Sequence, residues 1–243
     1  MLWLPSRALV MHLHFDPVGG AAGDMFIAAL LHAFPEHRDG LFAAIRAAGV
    51  PREVGLRLFE HTDAAMSGLR FDVLETPLAS AATQSALAYR FLGAASAQPR
   101  VGALQAHHGH GHAHRSAEHD HDHGHDHADA QAQRRWADIR AQLVASSLAP
   151  GVLKHALGIF ELIAEVEAKI HGVTPAEVAF HEVGAWDSIA DVVGAAFLID
   201  AVGAQSYSCA PLPLGSGRVR TAHGVLPVPA PATALLLEGL PCF

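Results

Sequence analysis

Cysteine is nearly absent from this chain. Only Cys209 and Cys242 occur in 243 residues, which excludes a disulfide framework and a thiolate metal cage. A reducing cytoplasm is then the default compartment. Positive charge is also scarce. Lys and Arg number 16 against 24 Asp and Glu, the formal charge is −8, and no dense basic patch exists, so nucleic acid is excluded as a partner. No apolar run is long enough to span a bilayer, because the stretch from Val192 to Ala204 is short and carries Asp200. Residues 1–10 have neither a cationic leader pattern nor a small-residue cleavage site, so they do not read as a secretory signal. They read as an N-terminal extension, with Met1 or Met11 as the start.

Histidine is what the chain has in excess. Ten of its 19 histidines fall within 21 residues: His107, His108, His110, His112, His114, His119, His121, His123, His125 and His127. Almost nothing in this stretch is apolar, so it cannot join a core and is expected to be a disordered, His-rich loop over 99–132. Neutral imidazole suits Ni, Zn and Cu, and Asp120, Asp122 and Asp126 add oxygen donors. A flexible tract of this kind concentrates metal. It cannot supply the fixed, open coordination position that catalysis needs. A solvated linker with incidental metal affinity is the competing reading.

The flanking segments, 11–98 and 133–243, read as two halves of one domain, with a hydrophobic fraction of 51% to build it. Met11, Leu13 and Phe15 alternate with His12 and His14, which predicts a strand ending near Asp16. A Gly-rich turn follows, and Asp24 is placed to cap a helix. Helical spacing returns near 39–48, around Trp136, over 150–172 and over 188–201, with Gly49, Gly172 and Gly203 just beyond three of these. Alternation predicts paired strands near 54–58 and 69–73, a strand over 207–214 and a strand or hairpin over 218–226. Strands and helices mix without strict alternation, so the expected class is α+β with a mixed sheet packed by helices.

Three further segments carry candidate chemistry. In Phe180-His181-Glu182-Val183-Gly184-Ala185-Trp186-Asp187-Ser188-Ile189-Ala190-Asp191, one imidazole and three carboxylates fall close together, and Asp187 and Asp191 share a helix face. That pattern suits a divalent-metal or acid/base site. Asp187 or Ser188 acting as an N-cap explains the acids equally well, though not the adjacent His-Glu pair. The second segment is the loop holding Gly19, Gly20, Gly23 and Asp24. It offers backbone N–H groups to an anion but lacks the Lys of a P-loop, and Asp24 would repel a bare phosphate unless a cation intervened. The third is the Pro/Gly-rich stretch 211–233. Here Arg218 and Arg220 are candidates for an anion, and His223 for metal or a proton, against a rigid turn with surface arginines.

Taken together, FDPVGGAAGDM, the His-rich insertion, FHEVGAWDSIADVVGA and PLPLGSGRVRTAHGVLPVPAPAT resemble the LarC family of nickel insertion proteins from Met11 onward. The resemblance implies a pyridinium-3,5-bisthiocarboxylic acid mononucleotide as substrate and Ni(II) as the metal inserted. Nickel would enter between two sulfurs and bond a ring carbon, giving the nickel-pincer cofactor of lactate racemase, with CTP hydrolysed in the cycle. It implies a chelatase of the lyase class, with Glu182, Asp187 and Asp191 as candidate bases for the departing ring proton. Gly19, Gly20, Gly23, Asp24 and Arg218 are then candidates for the mononucleotide, and His181, His223 and the tract for metal. Mn(II) or Mg(II) is a further candidate ion, and an oligomer is left open. Two departures are visible. Pro17-Val18-Gly19 stand where the family's commonest motif has Cys-Phe-Ser. The family's C-terminal nucleotide-binding domain is also expected to be absent, which leaves two alternatives: a separate chain supplies it, or the chain is a truncated product, inactive alone, with no complete cycle. A nickel store without catalysis is the alternative, and a zinc- or manganese-dependent hydrolase built on His181 to Asp191 is a third reading.

Overall fold

Helix α5, Trp186–Val202, organises the molecule. Its sequence is apolar on nearly every side, and such a helix is stable only when surrounded. Ile189, Ala190, Val193, Gly194, Ala196 and Leu198 are buried along it. The computed structural model describes residues 10–63, 66–74, 134–180, 183–221 and 223–243. The expected His-rich loop and its ten histidines lie outside the described residues, as do His181 and Glu182.

The chain begins with β1, His12–Phe15, followed by α1, Gly23–Ala33. A short 3-10 turn over Pro35–His37 leads into α2, Arg38–Ala47, and then into the paired strands β2, Gly55–Asp63, and β3, Met66–Leu74. The second stretch starts with β4, Arg134–Arg135, and α3, Trp136–Val144. Next comes the 22-residue α4, Pro150–His171, which has Pro at its start and left-handed Gly172 at φ +67° past its end. Then come β5, Ala179–Phe180, α5, and β6, Ser206–Cys209. The hairpin β7, Arg218–Thr221, with β8, Gly224–Pro227, precedes the short α6, Pro231–Leu236.

Among the described residues the strands associate two by two. β1 pairs with β6 in parallel, whereas β2–β3, β4–β5 and β7–β8 are antiparallel. The strand expected over 207–214 stops at Cys209. Pro211 and Pro213 follow, and proline has no N–H to donate to a ladder.

The core lies where α1, α2, β3 and α4 meet α5, with α3 packed on α4. Ile27, Leu31, Leu41, Ile45, Phe71, Ile139, Leu143, Phe160, Ile189, Val193 and Leu198 are almost wholly sequestered. Trp136, Phe160 and Phe180 form an aromatic triangle with centroids 5.7, 6.2 and 6.4 Å apart, fastening α3, α4 and β5. A Cβ on Gly194 would stand 2.7 Å from Ile27 Cδ1, so glycine lets α1 and α5 approach closely.

Candidate functional site

β1 delivers the chain into a turn closed by Val18 N–H donating to Asp16 O at 2.9 Å and Gly20 N–H to Pro17 O at 3.1 Å. Gly20 takes φ +116°, a region that side chains disfavour. Helix α1 then starts after extended Ala22, with no side-chain cap. Asp24, expected as the cap, instead sits inside the first turn, where its charge complements the helix dipole. The same holds at α5. Ala185 precedes the helix without a side-chain cap, and Asp187 lies in the first turn. Its Oδ1 accepts from Ser188 N–H at 2.6 Å and faces Ser188 Oγ at 3.3 Å. Neither Asp187 nor Ser188 is therefore the N-cap.

The two helix starts meet. A Cβ on Gly23 would fall 2.7 Å from both Cβ and Oδ2 of Asp191, so only glycine fits against that carboxyl without displacement. The backbone N–H of Asp24 donates to Asp191. Asp187 stands one helical turn before Asp191 on α5. Asp24, Asp187 and Asp191 thus belong to one carboxylate cluster, although the glycine loop and the acidic motif read as separate sites in sequence.

The electrostatics follow from the setting. Burial against α1 raises the Asp191 carboxyl first, and the negative charges of Asp24 and Asp187 raise it further. The Asp24 N–H opposes them in part, and the group is pushed up to about 7. A carboxyl poised there exchanges a proton readily near neutral pH, and a cation nearby would lower its pKa. Among the described residues, no group of three or more His, Cys, Asp or Glu side chains is arranged to hold a metal ion. The three acids are coupled by charge rather than assembled as a ligand set.

Other candidates lie elsewhere on the scaffold. Gly19 and Gly20 border the turn, and a Cβ on either would meet nothing within 4 Å, unlike Gly23. Arg218 is exposed on β7, where it pairs in register with Pro227. His223, in the β7–β8 turn, lies with its ring centroid 5.1 Å from that of His171, in the last turn of α4. His171 Nε2 is in turn 3.4 Å from Glu167 Oε2.

Several polar side-chain contacts were not legible in the sequence. His12 and His14 were read only as the polar half of a strand, yet both bond serines of β6. Arg134 lies over the Trp186 ring at 4.4 Å, with its Nη1 buried and without a hydrogen-bond partner among the described residues. Burial lowers the Arg134 guanidinium pKa, with Asp138 opposing the shift. The alternating His-x-His was the available signal for the first pair, whereas nothing in local spacing marked Arg134.

No solved structure matches the chain. A protein of Myxococcus xanthus named for nickel insertion is 36% identical over 232 residues, which is 94% of this chain and 46% of that protein. One of Pelobacter propionicus with the same naming is 57% identical over 108 residues, covering 44% of this chain and 28% of its own length. A third, from Nocardioides sp., is named the pyridinium-3,5-bisthiocarboxylic acid mononucleotide nickel insertion protein and is 49% identical over 110 residues, 45% of this chain and 28% of its own. The chain spans less than half the length of these relatives. No helix among the described residues is long and apolar enough to cross a membrane. The family described as nickel insertion protein matches residues 13–242, nearly the whole sequence, and this chain belongs to it.

Proposed function

We propose that the chain inserts Ni(II) into a pyridinium-3,5-bisthiocarboxylic acid mononucleotide, as a cyclometallating chelatase of the lyase class. The product would be the nickel-pincer cofactor of lactate racemase. The observation that carries this reading is Asp191, a carboxyl pushed up to about 7 between two first-turn acids on a buried helix. In the reaction a ring C–H bond breaks as a nickel–carbon bond forms. The C–H electron pair goes to the metal and the proton goes to a carboxylate. A base with a pKa near ambient pH suits that transfer, being deprotonated often enough to accept and basic enough to drive acceptance. In this reading the two sulfurs of the mononucleotide are the principal nickel ligands.

In this reading Asp191 takes the proton, and Asp24 and Asp187 keep it basic. Glu182 remains a candidate base, while Gly19, Gly20, Gly23 and Arg218 hold the phosphate. His181, His223 and the tract bring metal. CTP, with Mn(II) or Mg(II), would act through a further domain or partner chain, an oligomer is compatible with this, and the setting is cytoplasmic. We assign the fold to the α+β class, formed by residues on both sides of the His-rich stretch.

The test is a reaction of purified chain, the mononucleotide, Ni(II) and CTP, read by mass spectrometry for the metallated product, with and without a candidate C-terminal partner. Asp191→Asn should lower turnover by about 100-fold or more, the usual contribution of a general base. Unchanged turnover in a folded Asp191→Asn protein overturns the assignment. The ten-histidine run favours a second reading, a nickel store without catalysis. Removal of residues 107–127 separates the two, because a store loses nearly all its nickel capacity whereas an insertase keeps activity at excess nickel.

A further inference from the structure

A network of hydrogen-bonded side chains outside the carboxylate cluster lies on β1 and β6. β1 turns Leu13 and Phe15 toward the core, Phe15 stacking on Phe26 at 5.1 Å, which leaves His12 and His14 exposed on the other face. The parallel register sets His12 beside Ser206 and His14 beside Ser208. His12 Nδ1 lies 2.8 Å from Ser206 Oγ, and its Nε2 lies 2.8 Å from Ser208 Oγ. His14 Nδ1 lies 2.7 Å from the same Ser208 Oγ. One small hydroxyl oxygen is therefore shared by nitrogens of two imidazoles.

Two nitrogens directed at one point have the geometry of a chelate. Imidazole binds a late first-row ion at about 2.0–2.1 Å, so each ring must close by less than about 1 Å once Ser208 turns away. Ser206 stands where metal-bound histidines usually keep an outer partner. In the Nδ1–H tautomer of His12, Ser206 Oγ accepts at 2.8 Å and Nε2 keeps its lone pair for a metal. A hydrogen-bonded surface ladder is the ordinary explanation of a His–Ser pair, but it does not require both rings to meet at one oxygen.

We propose that His12 and His14 form a two-imidazole site for a late first-row divalent cation, oriented by Ser206 and additional to the carboxylates of α1 and α5. Its physiological cargo, nickel, rests on the function proposed above, whereas the site itself does not. With two protein donors and water elsewhere, the ion is held weakly and exchanges fast, as suits a transfer point.

The experiment uses the full chain with its ten tract histidines replaced by asparagine, titrated with nickel chloride. Calorimetry counts binding events while imidazole 1H–15N spectra report which rings broaden. Nickel should broaden the His12 and His14 rings first, and His12→Asn with His14→Asn should abolish that event. Asp24→Asn with Asp191→Asn should retain it. Ser206→Ala should weaken it about tenfold, the lower end for loss of an outer partner. His14→Gln serves where the double variant fails to fold. Sharp His12 and His14 rings at saturating nickel, or unchanged binding in a folded variant, overturn the proposal. Loss of nickel insertion with the ring signal intact would count against the proposed function alone.

Discussion

Asp191 couples protonation to folding. Its folded pKa of about 7 exceeds the ordinary 3.8, so between those values the native state holds a proton that the unfolded chain has released. The stability tied to that proton is fully present below pH 3.8 and is lost as pH rises through 7. Asp191→Asn should remove this slope. Thermal melts are expected to show the variant gaining on the parent from pH 5 to pH 8, and parallel melts at both would refute the raised pKa. Gly23 is the other sensitive position. Gly23→Ala sets a methyl 2.7 Å from Asp191 Cβ, and overpacking of this kind costs about 1–3 kcal/mol, measurable by urea denaturation. Both effects arise from a meeting of α1 and α5 that no local sequence pattern contains. Asp187 and Asp191 were legible as one face of one helix. Asp24 was legible as a cap and as part of an anion loop, but not as a neighbour of Asp191, which lies in the other half of the chain.

Helix ends illustrate what sequence conveys and what it does not. Gly49, Gly172 and Gly203 stop α2, α4 and α5 as read, with positive φ at each. Their cause is local, since a left-handed residue needs no distant partner. Side-chain caps were expected at α1 and α5, but α1, α3, α4, α5 and α6 all begin without one, four of them after alanine, while α4 starts at Pro150 as its spacing predicts. At α1, part of the N-terminal hydrogen bonding goes instead to Asp191 across the helix contact. The one reciprocal capping box, Thr174 with Glu177, serves a 3-10 turn and holds the Glu177 carboxyl below its usual range. For α5 itself, burial on nearly every side has a direct consequence. Leu198→Ala removes a side chain with no solvent exposure and should cost about 2–5 kcal/mol in chemical denaturation, whereas Leu162→Ala, largely exposed on α4, should cost far less. Similar losses at both positions would contradict this packing.

At the scale of the whole molecule, residues on both sides of the 99–132 stretch enter one core, and all described residues belong to one unit spanning 1–77 and 131–243. Composition made the histidine tract conspicuous, yet the carboxylate cluster became visible only once the two sides were folded together. Metal binding and protonation should therefore compete at that cluster, since a divalent ion and a proton seek the same oxygens. In protein with its tract histidines replaced by asparagine, nickel should raise the melting temperature more at pH 8 than at pH 5. Asp191→Asn should shrink that difference. Equal shifts at both pH values would show that the ion binds without the acids.

The parallel pairing of β1 with β6 also constrains birth on the ribosome. Residues 12–15 emerge well before their partners at 206–209, which follow 194 positions later in the chain. Until then the first strand has an unsatisfied edge and two apolar side chains awaiting cover. Closure of this strand pair therefore waits until β6 has been translated.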